Sequence, residues 1–143
     1  MNNETKHICV FVYGTLKQGY GNNKHFLRDA YYISKAESVD NSYIMYCNGG
    51  FPMTIDVKST GFYKIKGELY FVNQKILEGL DMLESNGSMY TRELRHFIAD
   101  DGKIYEAWIY LFNRTPWKYS SSNRNLNFNI DTDNKKVVEW IRK

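Results

Sequence analysis

A carboxylate set inside an apolar helical stripe and a glycine-punctuated loop after an apolar run are the two places where this chain's residue types suit chemistry. From Asn73 to Ser85, apolar residues fall at 76, 77, 80 and 83, the i, i+1, i+4, i+7 pattern of an amphipathic helix, with Asn73 as a plausible N-cap. Glu84 continues the row Ile76, Leu80, Glu84, so its carboxylate points at the core rather than at water. Desolvation and the negative end of the helix dipole both disfavour its charged form and push its pKa up. A carboxyl group tuned towards neutral pH can take a proton and return it, as a general acid/base must. The alternative is a side chain curled outward at a frayed helix end, or paired with Arg92 or Arg95.

The loop begins where the β-branched and aromatic run Ile8 to Tyr13 breaks into Gly14-Thr15-Leu16-Lys17-Gln18-Gly19. Gly14 permits close approach of a ligand to the backbone, and successive N–H groups in such a turn form an anion-binding concavity. Two nucleotide motifs fail here. Gly14 and Gly19 have P-loop spacing but are followed by Tyr20-Gly21, not Lys then Ser or Thr; a dinucleotide fingerprint from Gly19 and Gly21 meets Lys24 where its third glycine belongs. A tight turn ending a core strand is the other reading of the same residues.

Three motifs in order carry a family resemblance: Phe11-Val12-Tyr13-Gly14-Thr15-Leu16-Lys17 with Gly19 and Asn22 or Asn23, then Gly67-Glu68-Leu69-Tyr70, then Leu80-Asp81-Met82-Leu83-Glu84 with Tyr90 and Arg92 beyond. Together they resemble the gamma-glutamyl cyclotransferase superfamily, nearest its branch of gamma-glutamylamine cyclotransferases and avirulence-induced-gene-like proteins. The match runs from about residue 8 to about residue 112 of one domain spanning 1–143. It implies a mixed, partly closed β-barrel flanked by a few short helices. The implied reaction cleaves a gamma-glutamyl amide without water: the substrate's α-amine attacks its own γ-carbonyl, giving 5-oxoproline and a free amine. By position in the motif Glu84 is the general acid/base, and Gly14, Thr15 and Leu16 hold the substrate through their backbone. Tyr13 forms a pocket wall or fixes the loop, and Tyr90 and Arg92 support the site. Direct pairing of Arg92 with Glu84 would lower the carboxyl's pKa and argue against that role. The resemblance calls for neither a metal nor an organic cofactor.

Composition narrows the field. At 143 residues, 43% apolar and 16% aromatic, the chain can bury a sizeable core, and its 12 Tyr and 8 Phe suit strands. A net charge of +3 with dispersed Lys and Arg gives nucleic-acid binding little support. No apolar run is long enough to span a membrane and Met1 to His7 is polar, so a cytoplasmic protein is expected, with a small-molecule partner and an open oligomeric state. Cys9 and Cys47 form no CxxC pair, and His7, His25 and His96 lack metal-ligand spacing. The cysteines read as reduced and structural, and His25 as a surface residue. The serines at 120–122 form no nucleophile elbow.

The elements that must position Glu84 and the loop are mostly strands. Segments near 8–13, 31–39, 43–47, 52–57, 62–72, 89–99 and 103–112 read as β, with Asp101-Gly102 marking a hairpin. Along 62–72 the apolar face carries Tyr63, Ile65, Leu69 and Phe71, opposite Lys64, Lys66, Glu68 and Tyr70, and Gly67 marks a bulge or a close backbone contact. Helices are expected at 23–27, at 74–84 and around Val137, Val138 and Ile141, with a polar loop over 113–129 as either a flap or a surface excursion. The pattern is α+β. Beside the enzyme stand two other readings, a non-catalytic module binding a small carboxylate through the loop and a partner-binding protein with a vestigial cleft.

Overall fold

The computed structural model describes residues 7–48, 51–113, 128–131 and 137–141. In chain order these form β1 (Ile8–Val12), α1 (Gly21–Phe26), β2 (Tyr31–Ser38), β3 (Tyr43–Asn48), β4 (Phe51–Asp56), β5 (Lys64–Val72), α2 (Gln74–Leu83), β6 (Tyr90–Ala99), β7 (Ile104–Phe112), β8 (Phe128–Asp131) and β9 (Val137–Trp140).

Five strands lie in the order β1-β7-β6-β2-β5, and β5 pairs back onto β1, so the expected mixed barrel is a closed ring. Only the β1–β7 pairing within the ring is parallel. Closure removes the free edges that an open sheet of such aromatic strands would expose. The period-two pattern then sorts the core. Phe11, Ala36, Leu69, Phe97 and Ile109 share one buried cluster, with at least one side chain from every strand of the ring, and so fill its interior. Val10, Val12, Tyr70, Val72 and Tyr110 belong to a second cluster outside the ring, covered by Leu77 and Leu80 of α2.

That second cluster changes the reading of β5. Glu68 and Tyr70, placed by alternation on a polar face, are 7% and 3% exposed, because this face packs beneath other elements instead of meeting water. Gly67 is a close contact, as its place in the strand suggests. A Cβ there would stand 2.3 Å from the Val12 carbonyl oxygen and 2.7 Å from Phe11 Cζ.

Close approach matters because β5 changes partner at this point. Residues 68–72 pair with β1, whereas Lys64 and Ile65 pair with Val137 and Val138 of β9. Chain β1 peels away after Val12 into the glycine loop, and β9 takes the vacated edge of β5. The helix expected around Val137 and Val138 is therefore a strand. Both valines are 1% exposed, and ladder bonding to β5 and β8 overrides the local apolar spacing. The first helix starts at Gly21 rather than Asn23. Residues 114–127, most of the expected polar loop, lie outside the described residues, while Phe128 and Asn129 belong to β8. The hairpin at Asp101-Gly102 is present, with Gly102 at φ 87°.

Gly67→Ala is expected to destabilise the fold by about 1–3 kcal/mol, since the added methyl meets backbone that cannot swing aside. A thermal melt reads this directly, and an unchanged midpoint would mean that β1 is free to shift against β5.

Candidate active site

Helix α2 is capped as its sequence suggests: the Asn73 side chain accepts from the Ile76 amide at 2.8 Å. Leu77 and Leu80 bury its inner face. Glu84 is the C-cap, its amide still bonded to the Leu80 carbonyl at 2.9 Å, and Ser85 at φ 51° turns the chain away. The carboxyl is thus delivered at the C-terminal end of a helix packed through Leu77 and Leu80.

It faces a cavity of about 420 Å³. One wall is Phe11 and Val12 of β1 with Tyr13, Gly14, Thr15 and Leu16 of the segment that follows; Asn22 and Pro52 add to it, and Leu83, Met89, Tyr90 and Tyr110 close the far side. Burial pushes Glu84 up to about 7. Among the described residues, no arginine opposes that shift by pairing with it. Arg92 Nε donates to Asp81 Oδ1 at 2.8 Å, and Arg95 Nη2 donates to Asp56 at 3.0 Å and Glu93 at 2.8 Å.

Around the carboxyl stand three phenols. Tyr13 donates its hydroxyl to the Tyr110 carbonyl at 2.6 Å, Tyr90 to the Pro52 carbonyl at 3.2 Å, and Tyr110 to Asp81 Oδ1 at 2.6 Å. Burial above all pushes the Tyr13 and Tyr110 phenols well above their ordinary range, with Tyr90 adding to the first and Asp81 to the second. Near neutral pH both therefore present dipoles rather than charge.

The loop is braced from three directions. Glu68 Oε1 accepts from the Gln18 amide at 2.9 Å and from the Tyr70 hydroxyl at 3.1 Å. Asn23 Nδ2 donates to the Leu16 carbonyl and to Tyr70, each at 2.9 Å, and Asn22 Nδ2 donates to Thr15 Oγ1 at 2.8 Å. Lys17 is buried, its Nζ donating to the Trp140 carbonyl of β9 at 2.6 Å and lying 3.9 Å from Glu139. Burial pulls its pKa down, and Glu139 holds it up. With side chains and carbonyls so occupied, the amides of Gly14, Thr15 and Leu16 donate to no hydrogen bond among the described residues. They are free to receive a carboxylate or an oxyanion. Gly14 also sits under the β3–β4 hairpin, where a Cβ would stand 2.8 Å from Pro52 Cγ.

The structure therefore brings Glu84, Tyr13, Gly14, Thr15, Leu16 and Tyr90 to one cavity, and leaves Arg92 outside its lining, 4.3 Å over the Trp108 ring. Tyr110, Pro52 and Met89 were not legible as site residues; nothing in their spacing separates them from ordinary strand and turn positions. His25 is exposed, and no group of His, Cys, Asp or Glu among the described residues is arranged to hold a metal ion. Among the same residues no helix is long and apolar enough to cross a membrane.

Residues 10–129 match the family model described as gamma-glutamyl cyclotransferase, AIG2-like. A putative gamma-glutamylcyclotransferase of Methanocaldococcus jannaschii is 35% identical over 103 residues, covering 72% of this chain and 82% of the relative. The gamma-glutamylaminecyclotransferase C of Danio rerio is 32% identical over 111 residues, covering 71% and 72%. Among solved structures, a mouse AIG2-like protein superposes with a TM-score of 0.64 at 24% identity, covering 78% of this chain and 81% of the other.

Burial of Glu84 makes a prediction for both titration and stability. By carboxyl-carbon NMR its inflection is expected at about 7. A carboxyl whose folded pKa is raised stabilises the fold below its unfolded value, and the contribution is lost as pH rises through the folded one. Glu84→Gln, which stays neutral, should therefore melt like the wild type near pH 4 and increasingly above it from about pH 5 to 8. A melting difference independent of pH would contradict burial of the charge.

Proposed function

The chain belongs to the gamma-glutamyl cyclotransferase, AIG2-like family, an enzyme family, and on that premise we propose that it releases 5-oxoproline from a gamma-glutamyl amine or a related gamma-glutamyl amide, with Glu84 carrying the protons. The observation that carries this reading is that one cavity of about 420 Å³ holds a carboxyl raised to about 7 opposite backbone amides left free to donate.

Each need of the reaction has a group to meet it. The nucleophile is the substrate's own α-amine, so the protein need supply none, and folding the glutamyl moiety back on itself makes the attack intramolecular. The amines of the substrate arrive protonated. Glu84, ionised in about half the molecules near pH 7, takes a proton from the α-ammonium; the freed amine attacks the γ-carbonyl carbon and forms the lactam C–N bond. Negative charge then develops on the carbonyl oxygen. The amides of Gly14, Thr15 and Leu16 suit that oxyanion or the substrate's α-carboxylate, and their bracing means that they need not reorganise as charge appears. As the tetrahedral centre collapses, the amide C–N bond breaks, Glu84 returns its proton to the departing nitrogen, and the second proton of the attacking nitrogen passes through the same carboxylate to the freed amine, leaving a neutral lactam N–H and an ammonium. Tyr13 and Tyr90 wall the site, and burial keeps the Tyr13 phenol protonated, so that it adds no charge to bias the carboxyl.

The M. jannaschii and zebrafish relatives, named for gamma-glutamyl and gamma-glutamylamine cyclotransfer, support this substrate class. The free loop amides alone would serve equally a module that binds a small carboxylate without turning it over. The raised carboxyl opposite them favours the enzyme.

Glu84→Gln should keep the fold and lose turnover by about two orders of magnitude or more, read as 5-oxoproline formed from a panel of gamma-glutamyl amides. An unchanged rate would remove Glu84 from the mechanism. Stoichiometric binding of 5-oxoproline without product from any amide would replace the enzyme with the binding module.

A further inference from the structure

Asp81 stands one turn before Glu84 on α2, about 5–6 Å away along the helix surface, and has no task in the chemistry above. Its Oδ1 nevertheless accepts two hydrogen bonds from the barrel, from Arg92 Nε at 2.8 Å and from the Tyr110 hydroxyl at 2.6 Å. Arg92 and Tyr110 are register partners on β6 and β7, so a paired residue from each strand converges on one oxygen of the helix. The guanidinium is held from its other side by the Trp108 ring, 4.3 Å away. Tyr110 lines the cavity, and Arg92 does not.

The consequence for Glu84 is electrostatic. The Tyr110 hydroxyl feels both neighbours: Arg92 favours its ionised form and Glu84 opposes it. An arginine thus lies within reach of the same hydroxyl as the Glu84 carboxyl, yet it is spent on Asp81. Among the described residues, the other ionisable side chains lining the cavity are Tyr13, just after β1, Tyr90 of β6 and Tyr110 of β7, and burial keeps the Tyr13 and Tyr110 phenols protonated near neutral pH. On α1, which packs against α2, Lys24 and His25 are exposed, and Asp56 of β4 is taken up by Arg95.

We propose that Asp81 is a positioning residue for Glu84: it holds Arg92 outside the cavity and anchors the Tyr110 hydroxyl, so that among the described residues the carboxyl shares the cavity with phenols and other uncharged side chains and with no cation. Its role rests on the reading of Glu84 as the proton carrier, and it acts through Arg92 and Tyr110 without touching substrate. Removing either partner of the clamp has a definite sign. Without the Asp81 charge, an anion one turn away is gone and the guanidinium loses its carboxylate partner, so ionisation of Glu84 becomes easier. Without the Arg92 charge, Asp81 is left as an unpaired anion one turn away, and ionisation of Glu84 becomes harder.

The test is carboxyl-carbon NMR titration of Glu84, with the pH profile of 5-oxoproline release alongside, in Asp81→Asn, Arg92→Met and the double variant. Asp81→Asn keeps the side-chain shape and is expected to move the inflection, and the acid limb of kcat/KM, down by about one pH unit. Arg92→Met should move both up, and the double variant should return both to the wild-type position. Opposite signs distinguish the clamp from a merely structural contact, which would lower kcat or the melting temperature and leave the inflection in place. Shifts of the same sign, or none in variants that melt cooperatively, overturn the proposal. The titration needs no turnover, so absence of product from the wild type would strike only the cyclotransferase reading, and an unmoved inflection in an active enzyme would strike only the clamp.

Discussion

Everything at this site depends on the contact between the Val12 carbonyl and Gly67. Where β1 and β5 press together closely enough to exclude a Cβ, β5 gives up β1 as its neighbour and takes β9 instead. The chain leaving β1 is thereby turned out of the ring as a loop, rather than continuing as a strand whose amides would be consumed by the ladder. A buried backbone donor left unpaired is costly in an ordinary core. Here Gly14, Thr15 and Leu16 carry that cost beside a cavity, where a ligand can offset it, and the loop is held in place by Glu68 and Asn23 from one side and by the Lys17 ammonium, which donates to the Trp140 carbonyl of β9, on the other.

A second constraint lies across the cavity. α2 ends where its apolar stripe ends, so the last residue of the row is a carboxyl half-withdrawn from water. Its neighbours then decide its charge. Phenols whose own ionisation is suppressed add no countercharge, and Arg92, which acts on the same Tyr110 hydroxyl, is already engaged by Asp81. The result costs stability: above neutrality the fold carries an ionised group that it would be more stable without.

Much of the site was legible in the sequence because its signals are local. Helical spacing put Glu84 on the same row as Ile76 and Leu80, Asn73 was readable as a cap, and Gly67 as a close contact. Motif order suggested the barrel and the loop. What failed was what depends on distant partners. Val137 and Val138 carry no local sign of the β5 edge that recruits them, so the apolar pair read as helical. Glu68 and Tyr70 read as a solvated face because alternation reports the two faces of a strand, not what covers them.

The sequence by itself determined the elements whose periodicity is short-range, the carboxyl at the end of α2 and the glycine loop after β1, since backbone sterics and amphipathic spacing act over a few residues. Only the tertiary structure decided that these two meet across one cavity, that Tyr110 and Pro52 complete it, and that Arg92 closes on Asp81 and not on Glu84. Those pairings join residues far apart in the chain. They are chosen by ring closure and by competition between neighbouring charges, and neither leaves a trace in the spacing of residues along a single segment.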